Sequence, residues 1–283
     1  MPVRNGNLKG PGPFKQVVAT AGWSVPEWYP EGVEPRERLR ALAELVGGVE
    51  ADSPFYALPS ADTVDRWAAI TPEHFRFAVK VHRALSRHAA PLDSLPRDLR
   101  EDVETTGRGR IVLTDELQTA LIERTLRIFE PLYAAGRLTC FVLQLTPAFA
   151  PGENQLAELE PVVQGLAPIP VAVELRNRDW FHRLDRVLDW YRETGAAFVA
   201  VDAPQNDAPM AVPPVDAVTR SDLAYFRALG RDAKNRMEYR YSEDEVQQLA
   251  ERVRSLDAAH VTVAFANGRY ALEAARKIRG QTL

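Results

Sequence analysis

Seven polar residues sit where an apolar run is about to end: Glu50, Lys80, Gln144, Glu174, Arg176, Asp202 and Arg227. Guanidinium and ammonium groups suit a phosphate or carboxylate, and an amide can fix its orientation. A carboxyl group beside them can give or take a proton if its surroundings move its pKa towards neutrality. The stretch VAVELRNRDWF, residues 171–181, shows the pattern most plainly. Alternate residues of a strand point to the same face, so Ala172, Glu174 and Arg176 share one side and Val171, Val173 and Leu175 the other.

The same period of two, applied along the chain, gives a polar face on most apolar runs. Glu50 and Asp52 share one in GVEADSPFY, and Lys80 follows Ala78 in FRFAVKVHR. Val142 and Gln144 oppose Phe141 and Leu143; Ala200 and Asp202 oppose Val199 and Val201; Tyr225 and Arg227 share a face in LAYFRALGR. Unpaired charge in an apolar setting costs several kcal/mol, so these groups must meet one another, water or a ligand. A mutually neutralising structural network is the non-functional alternative.

Eight such runs alternate with helical patterns. PRERLRALAELVGG, ELQTALIERTLRIFEPLYAAG, WFHRLDRVLDWYRETG and EDEVQQLAERVRSLDA read as helices. Gly136 ends the second, and Ser242 with Glu245 three residues on marks the start of the last. Strand then helix about eight times predicts a (β/α)8 TIM-like barrel over residues 16–283, behind a Gly- and Pro-rich lead-in over 1–15. No glycine fingerprint follows the first strand, which disfavours the dinucleotide-binding open sheet. In a barrel the polar faces point inward and their C-terminal ends form the mouth, where active sites lie.

With 283 residues, 46% of them hydrophobic, the chain can bury a sizeable core. A net charge of −4 gives no reason to expect a non-specific nucleic-acid surface. Cys140 is the sole cysteine, so no intrachain disulfide or cysteine-rich metal site can form. No spanning stretch or signal peptide is evident, and a cytoplasmic protein is expected.

The chain resembles the YecE-like family, also called domain of unknown function 72. The matching stretches are ATAGW with WYP, GVEADSPFY, FRFAVKVHRALSRH, FVLQLTPAF, VAVELRNRDWF and YRYSEDEV, which together span nearly the whole chain. The resemblance implies a TIM-like barrel and no established activity. It implies a pocket made of Trp23, Glu50, Tyr56, Lys80, His88, Gln144, Glu174, Arg176, Trp180, Asp202 and Arg227. It also exposes departures. Asp52 and Pro54 stand where the family usually has Asn and Thr, Arg87 where it has Thr, Leu229 where it has His, and Ala266 where it has Asn.

The leading expectation is a hydrolase or lyase for a small anionic or phosphorylated substrate. Glu50, Glu174 and Asp202 are its candidate acids and bases, and the other pocket residues bind the ligand. A glycosidase would pair Glu50 with Glu174 and stack sugar on Trp23, Tyr56 or Trp180. No cofactor is expected. A metal would have to use Glu50, Glu174, Asp202 and His88, without any H-E-x-x-H spacing and against the local Arg and Lys content. A non-catalytic barrel would bind a small anion or a nucleic acid, the latter through Arg83, Arg87, Arg97 and Arg100 in the 82–102 loop.

Overall fold

The computed structural model describes residues 15–206, 208 and 211–282. Of the lead-in expected over residues 1–15, all but residue 15 lies outside the described residues. Eight strands, each hydrogen-bonded in parallel to its neighbours in chain order, close into a barrel. They are β1 (Gln16–Ala21), β2 (Gly48–Ala51), β3 (Arg76–Lys80), β4 (Leu138–Gln144), β5 (Val171–Glu174), β6 (Ala197–Asp202), β7 (Ala224–Ala228) and β8 (Val261–Phe265). The ring closes where Val18 meets Val263 and Ala19 meets Ala264.

The helices outside are α1 (Arg38–Ala43), α2 (Ser53–Tyr56), α3 (Ala61–Ile70), α4 (Asp115–Ala134), α5 (Glu160–Gly165), α6 (Leu184–Thr194), α7 (Glu243–Arg254) and α8 (Ala271–Thr282). Local chemistry fixes their ends. The Glu245 amide donates to Ser242 Oγ at 3.2 Å, and the Ser242 amide donates to Glu245 Oε2 at 2.9 Å, the reciprocal cap expected from the sequence. Gly136 and Gly195 follow α4 and α6 in left-handed backbone, at φ 66° and 72°.

The regular alternation lapses once. Between β6 and β7 no helix forms among the described residues, and Pro204, Pro213 and Pro214 explain why: each lacks the backbone donor a helix needs. This segment is nonetheless anchored. Thr219 Oγ1 donates to the Ala196 carbonyl at 2.8 Å and accepts from the Phe198 amide at 2.9 Å. No described helix is long and apolar enough to cross a membrane.

Two apolar layers result. Outward-facing Val18, Val49, Phe77, Val79, Phe141, Leu143, Val173, Phe226 and Val263 pack with the helices. Inside the barrel, Ala78, Cys140, Val142, Ala172, Val199, Val201, Tyr225 and Ala264 make a separate cluster. It fills the barrel below the mouth and leaves the polar residues above it as the next layer. Burial pushes the Cys140 thiol up to about 12, so it is an inert packing group.

The inner layer leaves no room at Gly48. A Cβ there would come within 2.6 Å of Val17 Cγ1 and 2.7 Å of the Arg76 carbonyl oxygen. Gly48→Ala is expected to lower stability by about 1–3 kcal/mol through this overpacking. Gly152→Ala, where a Cβ meets nothing within 4 Å, should stay within about 0.5 kcal/mol of the parent. Urea unfolding of the two variants and the parent checks both.

Candidate active site at the barrel mouth

Arg227 is the centre of the polar layer. β7 carries it inward above Tyr225, and only 3% of it is exposed. One terminal nitrogen, Nη2, donates to Glu50 Oε1 at 2.7 Å; the other, Nη1, donates to Glu174 Oε2. The two glutamates arrive from β2 and β5, and both are essentially unexposed. Tyr225 donates its hydroxyl to the second Glu50 oxygen at 2.8 Å.

The chain of contacts continues round the mouth. Gln144 Nε2 donates to Glu174 Oε1 and Oε2 at 3.0 and 3.1 Å. Its carbonyl oxygen accepts from Lys80 Nζ at 3.0 Å. Only this orientation of the amide satisfies an acceptor on one side and a donor on the other. Lys80 Nζ also lies 3.3 Å from Asp52 Oδ1 and 4.5 Å from the centre of the Phe55 ring. Arg176, two residues past Glu174, holds on loosely, with Nε 3.8 Å from Glu174 Oε1.

The two glutamates are driven in opposite directions. Burial raises the Glu50 pKa, and Arg227, Lys80 and the Tyr225 hydrogen bond only partly offset it. Burial also opposes the charged form of Glu174. There Arg227, Arg176 and the hydrogen bonds from Arg227 and Gln144 outweigh it and hold the carboxyl below its ordinary value. The two pKa values are therefore pushed apart by their surroundings, as in acid and base pairs. Burial alone would weaken the Arg227 charge; Glu174 and Glu50 more than restore it. Burial holds Arg176 below its usual value, Glu174 counters this, and Arg227 and Arg236 add to the depression.

Above this layer opens a cavity of about 580 Å³. Lys80, Arg227 and Asp52 supply its charged lining, and Trp23, Tyr56 and Met237 its larger apolar surfaces. Trp23 meets Trp67 edge-on at 5.3 Å, while Tyr56 stands 61% exposed at the rim. His88 sits beside this group, edge-on to Phe55 at 4.9 Å, with Nδ1 donating to the Ser86 carbonyl at 3.0 Å. Burial, then Arg176, lower its pKa to about 4, so it is neutral near pH 7.

The structure thus brings Glu50, Lys80, Gln144, Glu174, Arg176 and Arg227 together, with Trp23, Tyr56 and His88 near them. Two expected pocket residues lie elsewhere. Asp202 does not face inward: Val199 and Val201 take the inner face of β6, and Asp202 points out towards α7. There it accepts from Arg231 Nε at 3.0 Å, Arg252 Nη1 at 3.0 Å and the Tyr241 hydroxyl at 2.9 Å. Both faces of a barrel strand are buried, so polarity alone did not reveal which face was which. Trp180 stacks on Phe149 at 5.5 Å and donates Nε1 to the Phe149 carbonyl at 2.8 Å, packing a loop instead of lining the cavity.

Asp52 is the residue that sequence reasoning passed over as a site member, although it shares a face with Glu50. Ser24, Met237 and Gly268 also line the cavity, from loops that carry no periodic signal. Among the family departures, Ala266 lines the cavity and Leu229 joins the inner apolar cluster, so both present carbon where a polar group was expected. In the 82–102 loop, Arg83 covers the Phe55 ring, Arg87 donates to the Glu158 carbonyl, and Arg100 donates to the Leu95 and Asp93 carbonyls. Arg83 and Arg87 thus tie the loop to neighbouring elements, and Arg100 ties it to itself. Among the described residues, no three His, Cys, Asp or Glu side chains converge as metal ligands would.

A glycosidase needs two carboxyls open to the bond between them. Here the Arg227 guanidinium stands between Glu50 and Glu174 and bonds both.

Comparison with known proteins agrees with this architecture. The model of a family described as "Protein of unknown function DUF72" matches residues 17–282. The UPF0759 protein YunF of Bacillus subtilis (strain 168) is 24% identical over 246 residues, covering 81% of this chain and 80% of that protein. A crystal structure of a DUF72 family protein from Enterococcus faecalis V583 superposes with a TM-score of 0.75 at 25% identity, covering 94% of this chain and 97% of that one. One from Thermotoga maritima MSB8 gives 0.73 at 24% identity, covering 95% and 99%.

Two outcomes follow for the buried layer. Arg227→Met leaves two buried carboxyls without their cation and is expected to cost about 3–5 kcal/mol near neutral pH. For Glu50, the raised native pKa means the folded state holds the proton more tightly than the unfolded chain. Its contribution to stability therefore falls as pH rises from the ordinary glutamate range, about 4.3, towards the native value. Glu50→Gln should gain stability relative to the parent as pH rises through this window. A difference independent of pH, measured by denaturant unfolding at several pH values, contradicts the assignment.

Proposed function

The chain belongs to the DUF72 family, and from that starting point we propose that its barrel mouth is the site of an enzyme, a hydrolase or lyase, acting on a small substrate that carries a phosphate or carboxylate group. The observation that carries this reading is the cavity at the C-terminal end of the strands with Lys80 and Arg227 in its lining. Active sites of such barrels lie at this end.

Charge balance supports the same reading. Glu50, Glu174 and Asp52 face Lys80, Arg176 and Arg227. The three carboxyls and three cations balance, and the raised Glu50 pKa shifts that balance towards the cations. Among the described residues the charge partner of Arg176 is Glu174, at 3.8 Å, and burial depresses its pKa, so an incoming anion improves its surroundings. The walls, with Trp23, Val25, Tyr56 and Met237, suit the carbon skeleton of a small molecule.

Glu50 and Glu174 then have a positioning role, holding Arg227 in one orientation beneath the ligand. Asp52, whose side chain is 33% exposed, is the carboxylate within the cavity lining and the group available for proton transfer. A non-catalytic anion-binding barrel is the second reading. The saturation of both glutamates by hydrogen bonds favours it, and turnover on any phosphate or carboxylate substrate would exclude it.

Sulfate, whose charge is constant across neutral pH, tests the anion seat. Calorimetric titration should show binding to the parent, weakened about tenfold or more in Arg176→Met and Lys80→Met, the scale of a lost charge-assisted hydrogen bond. Equal affinity in parent and variants contradicts the proposal.

A further inference from the structure

The chain uses arginine for nearly all its positive charge: of 35 Lys and Arg residues only Lys9, Lys15, Lys80, Lys234 and Lys277 are lysine. Among the described residues Lys80 is the lysine that lines the mouth cavity, and it is 7% exposed. An arginine there would serve an anion at least as well, with a planar fork and a charge it never loses. What lysine adds is an amine that can give up its proton and attack carbon.

The surroundings of Nζ fit that use. Gln144 Oε1 accepts one hydrogen bond at 3.0 Å and fixes the direction of the amine. Asp52 Oδ1 lies 3.3 Å away, is buried, and has no hydrogen-bond partner among the described residues. It can therefore receive a proton from the amine without first releasing another donor. The Phe55 ring, 4.5 Å from Nζ, walls off another side and keeps water from that flank. Arg227, in the same lining, and Arg176, tied to Glu174 beside it, are the groups to hold an acidic substituent.

We propose that Lys80 forms a Schiff base with the carbonyl carbon of a small aldehyde or ketone bearing a carboxylate or phosphate, with Asp52 as the proton shuttle. This rests on the anion-site reading above and specifies its substrate and chemistry. The protonated amine passes one proton to Asp52. The freed nitrogen lone pair forms the C–N bond while the carbonyl π electrons move to oxygen, which takes the proton back from Asp52. The resulting carbinolamine gives a nitrogen proton to Asp52. Its nitrogen lone pair then forms C=N as the hydroxyl, protonated by Asp52, departs as water. Ammonium plus carbonyl become a protonated imine plus water, and no oxidant or reductant is required. The iminium draws electrons from the neighbouring carbon, the electron sink that a lyase needs to break a bond there.

The test is reductive trapping on the full chain. Pyruvate, the smallest probe with a carbonyl next to a carboxylate, is added with sodium borohydride, and the product is read by intact mass and peptide mapping. One reduced pyruvate per chain, mapped to Lys80, is expected. Lys80→Arg should lose the label while melting like the parent, and Asp52→Asn should label at least tenfold more slowly. Propanal, which lacks the acid group, should label Lys80 far less than pyruvate does. A label absent from Lys80, or spread equally over Lys15, Lys234 and Lys277, overturns the inference. Sulfate titration of the same preparation separates the two claims. Retained sulfate binding without a label at Lys80 refutes the imine alone. Neither binding nor label refutes the anion site as well.

Discussion

Arg227 sits between two buried glutamates, and that single guanidinium decides what the rest of the barrel mouth can be. An arginine with only 3% of its surface exposed must be matched by carboxylates, and two carboxylates from opposite sides of a barrel must be matched by a cation. β2, β5 and β7 deliver the three side chains into the barrel interior within bonding distance of one another, because their inward positions converge there. Everything above them inherits their geometry. Gln144 is oriented by Glu174, Lys80 by Gln144, and the cavity floor by all of them. Glu50 meets the same cation as Glu174 yet its pKa is raised, because burial, with the Asp52 charge added to it, outweighs Arg227 and Lys80 there, whereas the partners outweigh burial at Glu174.

Much of this was legible in the chain. Strand and helix periodicity gave the barrel, and the reciprocal Ser242 and Glu245 cap gave the start of α7. The period of two placed Glu50, Lys80, Gln144, Glu174 and Arg227 on inner faces, since each follows small or apolar residues with the same parity. Asp202 failed by the same rule. A barrel strand is buried on both sides, and its outer partners, Arg231 and Arg252, come from 29 and 50 residues away, so no local pattern announced them. Asp52 was on the right face but past the end of its strand, where alternation stops being a guide. Trp180 was a question of loop packing, settled by its stacking on Phe149.

The site that emerges divides its labour by depth. In the lower polar layer Tyr225 bonds Glu50, and Glu50 and Glu174 bond the two terminal nitrogens of Arg227 and so hold that cation still. The upper layer, Lys80, Asp52 and Arg176, is looser: a 3.3 Å contact, a 3.8 Å contact and a carboxylate oxygen with no hydrogen bond. A rigid base under a few incompletely satisfied groups is the arrangement expected of a site prepared for a ligand. Of the departures, Ala266 puts carbon into the cavity lining and Leu229 adds it to the inner apolar cluster.

The most direct trial of this account is a crystal structure grown or soaked with phosphate. The account predicts one anion at the mouth, within hydrogen-bond distance of Lys80 Nζ and of Arg176 or Arg227, with Arg227 still bonded to both glutamates. An ordered mouth holding only water at saturating phosphate, or Glu50 and Glu174 parted from Arg227, would contradict it.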